Sequence, residues 1–285
     1  MASVRQIARR IKSVENTSKI TKAMSMIAAS KLRKSQDAAT TGRAYATNMS
    51  KMVSNVVAQF FDDDLNQPLI DVRESKVTCL LLITPDRGLT GGLISNILKS
   101  ATNFLNSQNN PVKLVTVGKK SADFAKRMKL ESIGHFTGMG DLPTSDDILP
   151  IANLLIDKFS SGEVDSVHIL YASFINTTLQ KPTLSQLIPV NIDDSEDKKS
   201  EYIYEPSPNK VLNELLPKYI QTLVHHAILE ANASEQSARM VAMNLATDNA
   251  NDMVDDLTLL MNKLRQETVT RELLDIVGGV SAIES

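Results

Sequence analysis

The stretch VRQIARRIKSVENTSKITKAMSMIAASKLRK, residues 4–34, decides the fold of this 285-residue chain. It contains neither Pro nor Gly, and its apolar residues recur at steps of three and four, as at Val4, Ile7, Ile11 and Val14. This spacing is typical of one face of an α-helix. The pattern continues through residues 1–60 with no Pro and a single Gly, so the sequence predicts one helix about 90 Å long.

The last segment, residues 207–283, shows the same periodicity. Ser207-Pro208-Asn209 is a helix start signal, because a Pro in the first turn has no hydrogen bond to lose. Pro217 is expected to kink or locally unwind the helix, and Gly278-Gly279 to end it. An alanine-rich stretch lies between these points and lets a second helix approach closely. The segment predicts another helix, roughly 100 Å long.

The two predicted helices carry opposite charge. Residues 1–60 hold eleven Lys and Arg against two acidic residues, a net charge of +9, whereas residues 209–285 have a net charge of −5. We therefore expect an antiparallel coiled coil between them, or an acidic partner for the first. A bundle folded back on itself would need turns that neither segment contains. Nucleic acid is disfavoured, because the basic segment offers Tyr45 as its one aromatic residue before its C-terminal end.

Between the helices the pattern changes to alternating strands and helices. Strands are predicted at 77–84, 112–117, 132–136 and 167–174, and helices at 93–105, 121–129 and 146–159. Such alternation indicates an α/β domain with a largely parallel sheet. The expected domains are a first helix (1–60), an α/β domain (75–195) and a last helix (207–283). The charged run at 193–199 is expected to form an exposed loop before the last helix.

The glycine-rich turn TPDRGLTGG, residues 84–92, is the strongest candidate for ligand chemistry. A turn between a strand and a helix can hold phosphate. This one lacks the Lys-Ser/Thr ending of a P-loop and the spacing of a dinucleotide site, so a tight structural turn is favoured over a nucleotide site.

No other residues form an expected catalytic or metal site. His225 and His226 are adjacent, so on a helix they point about 100° apart and do not bind one metal as a pair. His168 lies in a predicted strand and is expected to be half-buried with its hydrogen bonds satisfied. Cys79 is the single cysteine. The longest apolar run, residues 79–83, is too short to span a membrane, and no secretory signal is seen. We expect a mechanical or scaffolding protein with no cofactor.

Several motifs resemble the ATP synthase gamma-subunit family. ITKAMSMIAASKLRK (residues 20–34) is similar to the signature of the family's N-terminal helix. ASEQSARMVAM (233–243), continuing to ATDNA (246–250), is similar to the family's C-terminal helix. DRGL (86–89), FINT (174–177) and YEP (204–206) also fit, so the resemblance covers the whole chain in order.

The resemblance implies the rotor stalk of a bacterial F-type ATP synthase, with no catalysis by this chain alone. The implied partners are the alpha and beta subunits, the epsilon subunit and the c-subunit ring, with membrane contact only through the complex. The implied location is the cytoplasmic face of the bacterial plasma membrane, since no transit peptide is seen. The implied beta-subunit contacts are Lys22, Met24, Lys31, Arg33, Lys34, Arg265 and Gln266.

Two other function classes stay open from the sequence alone. One is a nucleotide-binding α/β protein or enzyme whose helices serve for dimerisation. The other is a coiled-coil scaffold, which predicts self-association. Both require the terminal motifs to be coincidental.

Overall fold

Each end segment forms one long helix in the computed structural model, which describes residues 4–59, 67–74, 76–190, 204–205 and 207–284. Helix α1 is Val4–Gln59 and helix α5 is Pro208–Glu284. The expected domain boundaries at residues 60, 75 and 195, and the charged run at 193–199, lie outside the described residues.

The expected unwinding of α5 at Pro217 and its expected end at Gly278-Gly279 are both wrong, whereas the expected kink at Pro217 stays a prediction. The helix continues through Pro217 without unwinding, because Leu212, Leu216 and Ile220 around it are fully buried and their packing outweighs one lost hydrogen bond. It also does not end at Gly278-Gly279 but continues to Glu284. A helical Gly costs only about 1 kcal/mol relative to Ala, so Gly alone does not terminate a helix.

The middle of the chain forms a five-stranded sheet with three shorter helices. The elements in chain order are β1 (Thr78–Ile83), α2 (Leu93–Ser107), β2 (Val112–Val117), α3 (Lys119–Met128), β3 (Ser132–Phe136), α4 (Ser145–Ser160), β4 (Ser166–Phe174) and β5 (Gln180–Ile188).

The sheet has the strand order β3-β2-β1-β4-β5. The first four strands are parallel, and β5 pairs antiparallel with β4. The sequence did not predict β5, because Pro182 interrupts it. Pro is tolerated here since β5 is an edge strand. The predicted architecture of an α/β domain plus an antiparallel helix pair is confirmed.

Both faces of the sheet are covered. Leu80 and Leu82 of β1 point toward α2 and α3, in a cluster with Ile97 and Phe124. Leu81 and Ile83 point to the opposite face, because side chains alternate along a strand. That face packs against α4 and against the part of the helix pair formed by 49–57 and 212–228. Every residue of β1 is buried, as expected for a central strand covered on both faces.

Packing divides the chain into two compact units. The terminal unit is Met1–Ile27 with Met240–Ser285, and the central unit is Ala28–Arg239. Helices α1 and α5 are antiparallel in both. In the terminal unit the hydroxyls of Thr21 and Thr247 are 2.7 Å apart, and in the central unit Arg43 donates to Glu230. Among the described residues, none of the helices combines the length and apolar composition that crossing a bilayer requires.

Candidate functional site: the crevice of the sheet and the helix pair

The sheet has a topological switch point between β1 and β4. The chain runs outward from β1 to β2 and β3 and then returns to the other side of β1 at β4. In open α/β sheets, ligands bind in the crevice at the carboxyl ends of the strands beside such a point. The loops that follow β1 and β4 therefore form the position at which a nucleotide site would be expected.

The turn after β1 places a carboxylate where a bound anion would otherwise lie. Asp86 accepts hydrogen bonds from the backbone N–H of Lys119 (2.8 Å), at the start of α3, and from that of Gly138 (3.1 Å). The Thr84 hydroxyl accepts a third, from the N–H of Ser121 at 2.7 Å. The N-terminus of a helix attracts anions through such N–H groups. Here the chain's own carboxylate holds that position, which fits the tight structural turn predicted from residues 84–92.

Gly118, directly before α3, allows this close approach. Its φ is +96°, and a Cβ at this position would lie 1.9 Å from the carbonyl oxygen of Thr84. Only glycine fits such a contact at this backbone conformation. The loops after β1 and β2 are therefore in direct backbone contact, and the space between them is closed.

Helix α5 fills the rest of the crevice. The Ser234 hydroxyl donates to the carbonyl oxygen of Ala172 in β4 at 2.9 Å, and the Ser237 hydroxyl donates to that of Thr177 at 2.8 Å. Arg239 reaches the loop after β1, where it donates to the carbonyl oxygen of Gly88 at 3.4 Å. Ser234 and Ser237 are fully buried. The crevice is thus occupied by a helix of the same chain.

The loop between β3 and α4 is also fastened to the helix pair. Asn232 of α5 donates to the carbonyl oxygens of Gly140 (3.3 Å) and Asp141 (3.1 Å). Lys31 of α1 forms a 2.8 Å ion pair with Asp141. Nε2 of His225 lies 3.0 Å from the carbonyl oxygen of Pro143, so this histidine hydrogen-bonds to the same loop.

Glu230 of α5 is a buried carboxylate with three partners on three elements. It accepts a hydrogen bond from Arg43 of α1 and one of 2.8 Å from Ser173 of β4, and its Oε1 lies 3.3 Å from Nε2 of His226. Burial opposes its ionisation, but the hydrogen bonds from His226, Arg43 and Ser173 outweigh burial and lower the pKa of Glu230 to about 2. Burial, together with the charge of Glu230, raises the pKa of the neighbouring Tyr171 to about 12.

The expectation for His168 is confirmed for its burial and wrong for its hydrogen bonds. The residue is half-buried as predicted, but its Nδ1 has no hydrogen-bond partner within the described part of the chain. Its ring packs against Phe104, with the centroids 5.2 Å apart, and burial lowers the pKa of the imidazole. Cys79 is fully buried, and burial raises its thiol pKa to about 12.

No group of three or more His, Cys, Asp or Glu side chains suited to a metal ion occurs in the residues that the structure describes. Asp146 and Asp147 lie in the first turn of α4, where negative charge is favourable. The Asp147 carboxylate accepts hydrogen bonds from the backbone N–H and hydroxyl of Thr144, both at 2.8 Å, and these bonds lower the pKa of Asp147.

The sequence-predicted contact residues are distributed over both units. Lys22, Met24, Arg265 and Gln266 belong to the terminal unit, and Lys31, Arg33 and Lys34 to the central unit. All are exposed except Met24 and Lys31, which are half-buried. Arg265 lies 18 residues beyond Thr247, the neighbour of Thr21, or about 27 Å along α5. The structure therefore does not bring Lys22 and Arg265 together.

The terminal unit presents a mixed basic and apolar surface. On α1, Lys22 is exposed, and so are Arg5, Arg9, Arg10, Lys12 and Lys19. On α5, every residue from Arg265 to Val277 is exposed. This stretch includes the apolar side chains of Val269, Leu273, Leu274, Ile276 and Val277, which are 47–66% exposed. An apolar surface of this kind marks a site of interaction with another protein.

Sequence reasoning missed the buried polar residues that join α5 to the sheet. Glu230, Ser234 and Ser237 follow a spacing of four and three and therefore share one helix face. The available signal was polar residues at helical spacing inside an alanine-rich, otherwise apolar stretch. Asp86 was singled out only as part of the turn.

Comparisons with known proteins agree with one another. The model of a protein family described as ATP synthase matches residues 3–283. The chain is 47% identical to the ATP synthase gamma chain of Dehalococcoides mccartyi, over 99% of this chain and 100% of that one. It is 42% identical to the ATP synthase gamma chain of Pelotomaculum thermopropionicum, over the full length of both.

Solved structures share the fold. A chain from the central stalk and c-ring of the Tetrahymena thermophila mitochondrial ATP synthase superposes with a TM-score of 0.60 at 25% identity, covering 80% of this chain and 99% of that one. A chain of the Euglena gracilis mitochondrial ATP synthase superposes with a TM-score of 0.67 at 19% identity, covering 98% and 94%.

Proposed function

This chain belongs to the ATP synthase gamma-chain family, and from that premise we propose that it is the central-stalk rotor subunit of an F-type ATP synthase. It transmits torque between the rotation of a c-subunit ring and the nucleotide sites of the beta subunits. Its partners are the alpha and beta subunits, the epsilon subunit and the c-ring. The subunit itself is not catalytic, and the complex lies at the cytoplasmic face of a bacterial plasma membrane.

The antiparallel pair of α1 and α5 carries this proposal. Its surface is basic along α1 and apolar along the last residues of α5, so it suits partners that supply acidic and apolar surfaces. A filled crevice in the sheet also disfavours the alternative of a nucleotide-binding protein. The chain's own Asp86 and α5 occupy the positions that a nucleotide would need.

The mechanism follows from asymmetry. A shaft without three-fold symmetry contacts each of three identical beta subunits through a different side, and so stabilises a different conformation of each. Turning the shaft shifts every site to its next conformation. Because such coupling is reciprocal at equilibrium, the same contacts serve ATP synthesis and ATP hydrolysis.

Seven residues are assigned to the beta-subunit contacts within this proposal. Arg265 and Gln266 contact a loop of the beta subunits. Lys22, Met24, Arg33 and Lys34 face acidic segments of the same subunits. Lys31 joins this group, although its ammonium group is already paired with Asp141.

Reconstitution tests the proposal. Purified alpha and beta subunits of the same organism are mixed with and without this chain, and complex mass and ATP hydrolysis are measured. We expect a stable complex whose multi-site hydrolysis requires this chain and falls on the double change Arg265→Ala, Gln266→Ala. The matched control is Lys126→Ala with Arg127→Ala, an exposed pair on α3. Self-association without any complex would instead favour a coiled-coil scaffold.

A further inference from the structure

Glu230 is the point at which both long helices meet the sheet. Its side chain is 3% exposed, and it accepts hydrogen bonds from Arg43 of α1 and from Ser173 of β4 while belonging to α5 itself. Arg43 and Ser173 bind different oxygens of the carboxylate, Oε1 and Oε2. One side chain therefore joins three elements that are distant in sequence.

Two serines extend this contact along α5. Glu230, Ser234 and Ser237 lie on one face of the helix, and we call these three residues the polar seam. Glu230 accepts a hydrogen bond from the end of β4. The two serines donate hydrogen bonds to β4 and to the turn that follows it. Gln180 of β5 adds a hydrogen bond of 3.3 Å to the Ser237 hydroxyl. The polar seam thus covers about two turns of α5.

The polar seam differs physically from the apolar packing around it. Apolar contacts are non-directional, so a helix can rotate slightly over an apolar surface at little cost. Displacing a buried carboxylate or hydroxyl breaks a directional bond and leaves a desolvated polar group unpaired, at a cost of about 1–3 kcal/mol for each group. The polar seam therefore resists rotation of α5 against β4 more strongly than the apolar contacts around it do.

We propose that Glu230 is a positioning residue that fixes the angle of α1 and α5 on the sheet, so that the torsional stiffness of the rotor depends on it. This inference rests on the proposed function. When torque enters through the sheet, Ser173 passes it to α5 through Glu230 and to α1 through Arg43. Without Glu230, no bond ties α1 to β4 through α5, and the helices are held by apolar packing, by the two serines and by the bonds to the loops that follow β1 and β3.

Single-molecule rotation with the complete complex tests this inference. The alpha and beta subunits are fixed to a surface, and a bead is attached through Lys126→Cys, an exposed position on α3. Cys79 is fully buried and does not compete for the label. The angular variance of the bead during a catalytic pause measures the torsional compliance, because variance is proportional to the inverse of stiffness.

We expect Ser173→Ala and Glu230→Gln each to raise this variance about twofold, since each removes a directional bond of the polar seam. The matched control is Ser185→Ala, the same chemical change at an exposed position on β5, with no change in variance. Ser173→Thr retains the hydroxyl and is expected to restore the stiffness. All variants are compared at equal complex mass.

Three outcomes are distinguishable. A variance for Ser173→Ala equal to that of Ser185→Ala overturns the inference. If Glu230→Gln does not assemble, the two Ser173 variants decide the question, because they leave the Arg43–Glu230 pair in place. If the unmodified chain gives no rotating complex, the proposed function fails, whereas rotation with unchanged variance contradicts only the role of Glu230.

Discussion

Asp86 is a single side chain that holds two loops, and its removal has a local effect. In Asp86→Ala, the N–H groups of Lys119 and Gly138 lose a charged acceptor, which is worth about 1.5–3 kcal/mol. We expect peptides containing these two amides to exchange hydrogen about 10- to 100-fold faster in the full chain. Asp123→Ala on the exposed side of α3 is the control. Equal exchange in the two variants would contradict the assigned role of Asp86.

The lowered pKa of Glu230 makes the free energy of unfolding depend on pH. Its pKa is about 2 in the folded chain against an ordinary value of 4.5. A lowered carboxyl pKa contributes stability above the unfolded value, and this contribution is lost as the pH falls through 4.5 toward 2. The difference in unfolding free energy between the unmodified chain and Glu230→Gln is therefore expected to shrink by about 2 kcal/mol from pH 6 to pH 3.

Urea unfolding of the full chain at several pH values measures this difference. Glu214→Gln, on the exposed side of the same helix, controls for the loss of one carboxylate from α5. A difference that stays constant over this range would show that Glu230 is not held by Arg43, His226 and Ser173 in solution.

Residue roles were only partly predictable from the sequence. The turn at residues 84–92 was predicted to be structural because its spacing fits no phosphate motif. The part played by Glu230 could not be predicted, since its partner Arg43 is 187 residues away and only the fold brings them together. His168 shows the converse error, because a polar residue in a buried strand does not always find a partner.

At the scale of elements, α5 extends beyond the described part of α1. Thr21 faces Thr247 and Ser18 faces Asn251, so an antiparallel register places residue 264 opposite Val4. Leu264 is half-buried, and residues 265–277 are all exposed. A helix of this length without packing is only marginally stable in water.

We therefore expect residues 265–277 to exchange backbone hydrogens within seconds in the isolated chain. Residues 240–257, which face α1, are expected to exchange at least about 10-fold more slowly. Assembly with alpha and beta subunits is expected to protect 265–277. Mass spectrometry of deuterated peptides measures this, and equal protection of both stretches in the isolated chain would contradict the expectation.

Periodicity explains which elements were predictable. The four parallel strands and the three short helices follow clear apolar patterns, so their positions agree with the structure to within a few residues. Strand β5 was missed because Pro182 and its polar residues weaken the alternation. The predicted end of α5 was too early, because Gly278 and Gly279 were read as a stop signal although a long helix tolerates glycine.

At the scale of the whole molecule, charge should govern assembly. Arg33 and Lys34 are exposed on the basic helix. Their replacement by Glu reverses the local charge, and we expect about 10-fold slower association with alpha and beta subunits at low salt. The effect should diminish at high salt because of screening. Light scattering during mixing measures the rate.

The control is Lys126→Glu with Arg127→Glu on α3, which changes the net charge by the same amount on another surface. Equal slowing by both pairs would mean that total charge, and not the basic helix, sets the rate.

The architecture was largely predictable from the sequence, but the packing of α5 into the crevice of the sheet was not. Two helices with opposite charge and long apolar stripes are most simply paired antiparallel, and alternating elements indicate an α/β sheet. The strand order places the crevice between β1 and β4, and contacts between residues far apart in sequence place α5 in it. Local patterns carry no information about that order.

The position of the polar seam near the end of the chain also has a consequence for synthesis. Ribosomes add about 5–20 residues per second, so Arg43 emerges roughly 10–40 s before its partner Glu230, 187 residues later. Until then the nascent sheet has an open crevice and α1 lacks its partner helix. The growing polypeptide therefore exposes apolar surface throughout this interval, during which it is open to aggregation.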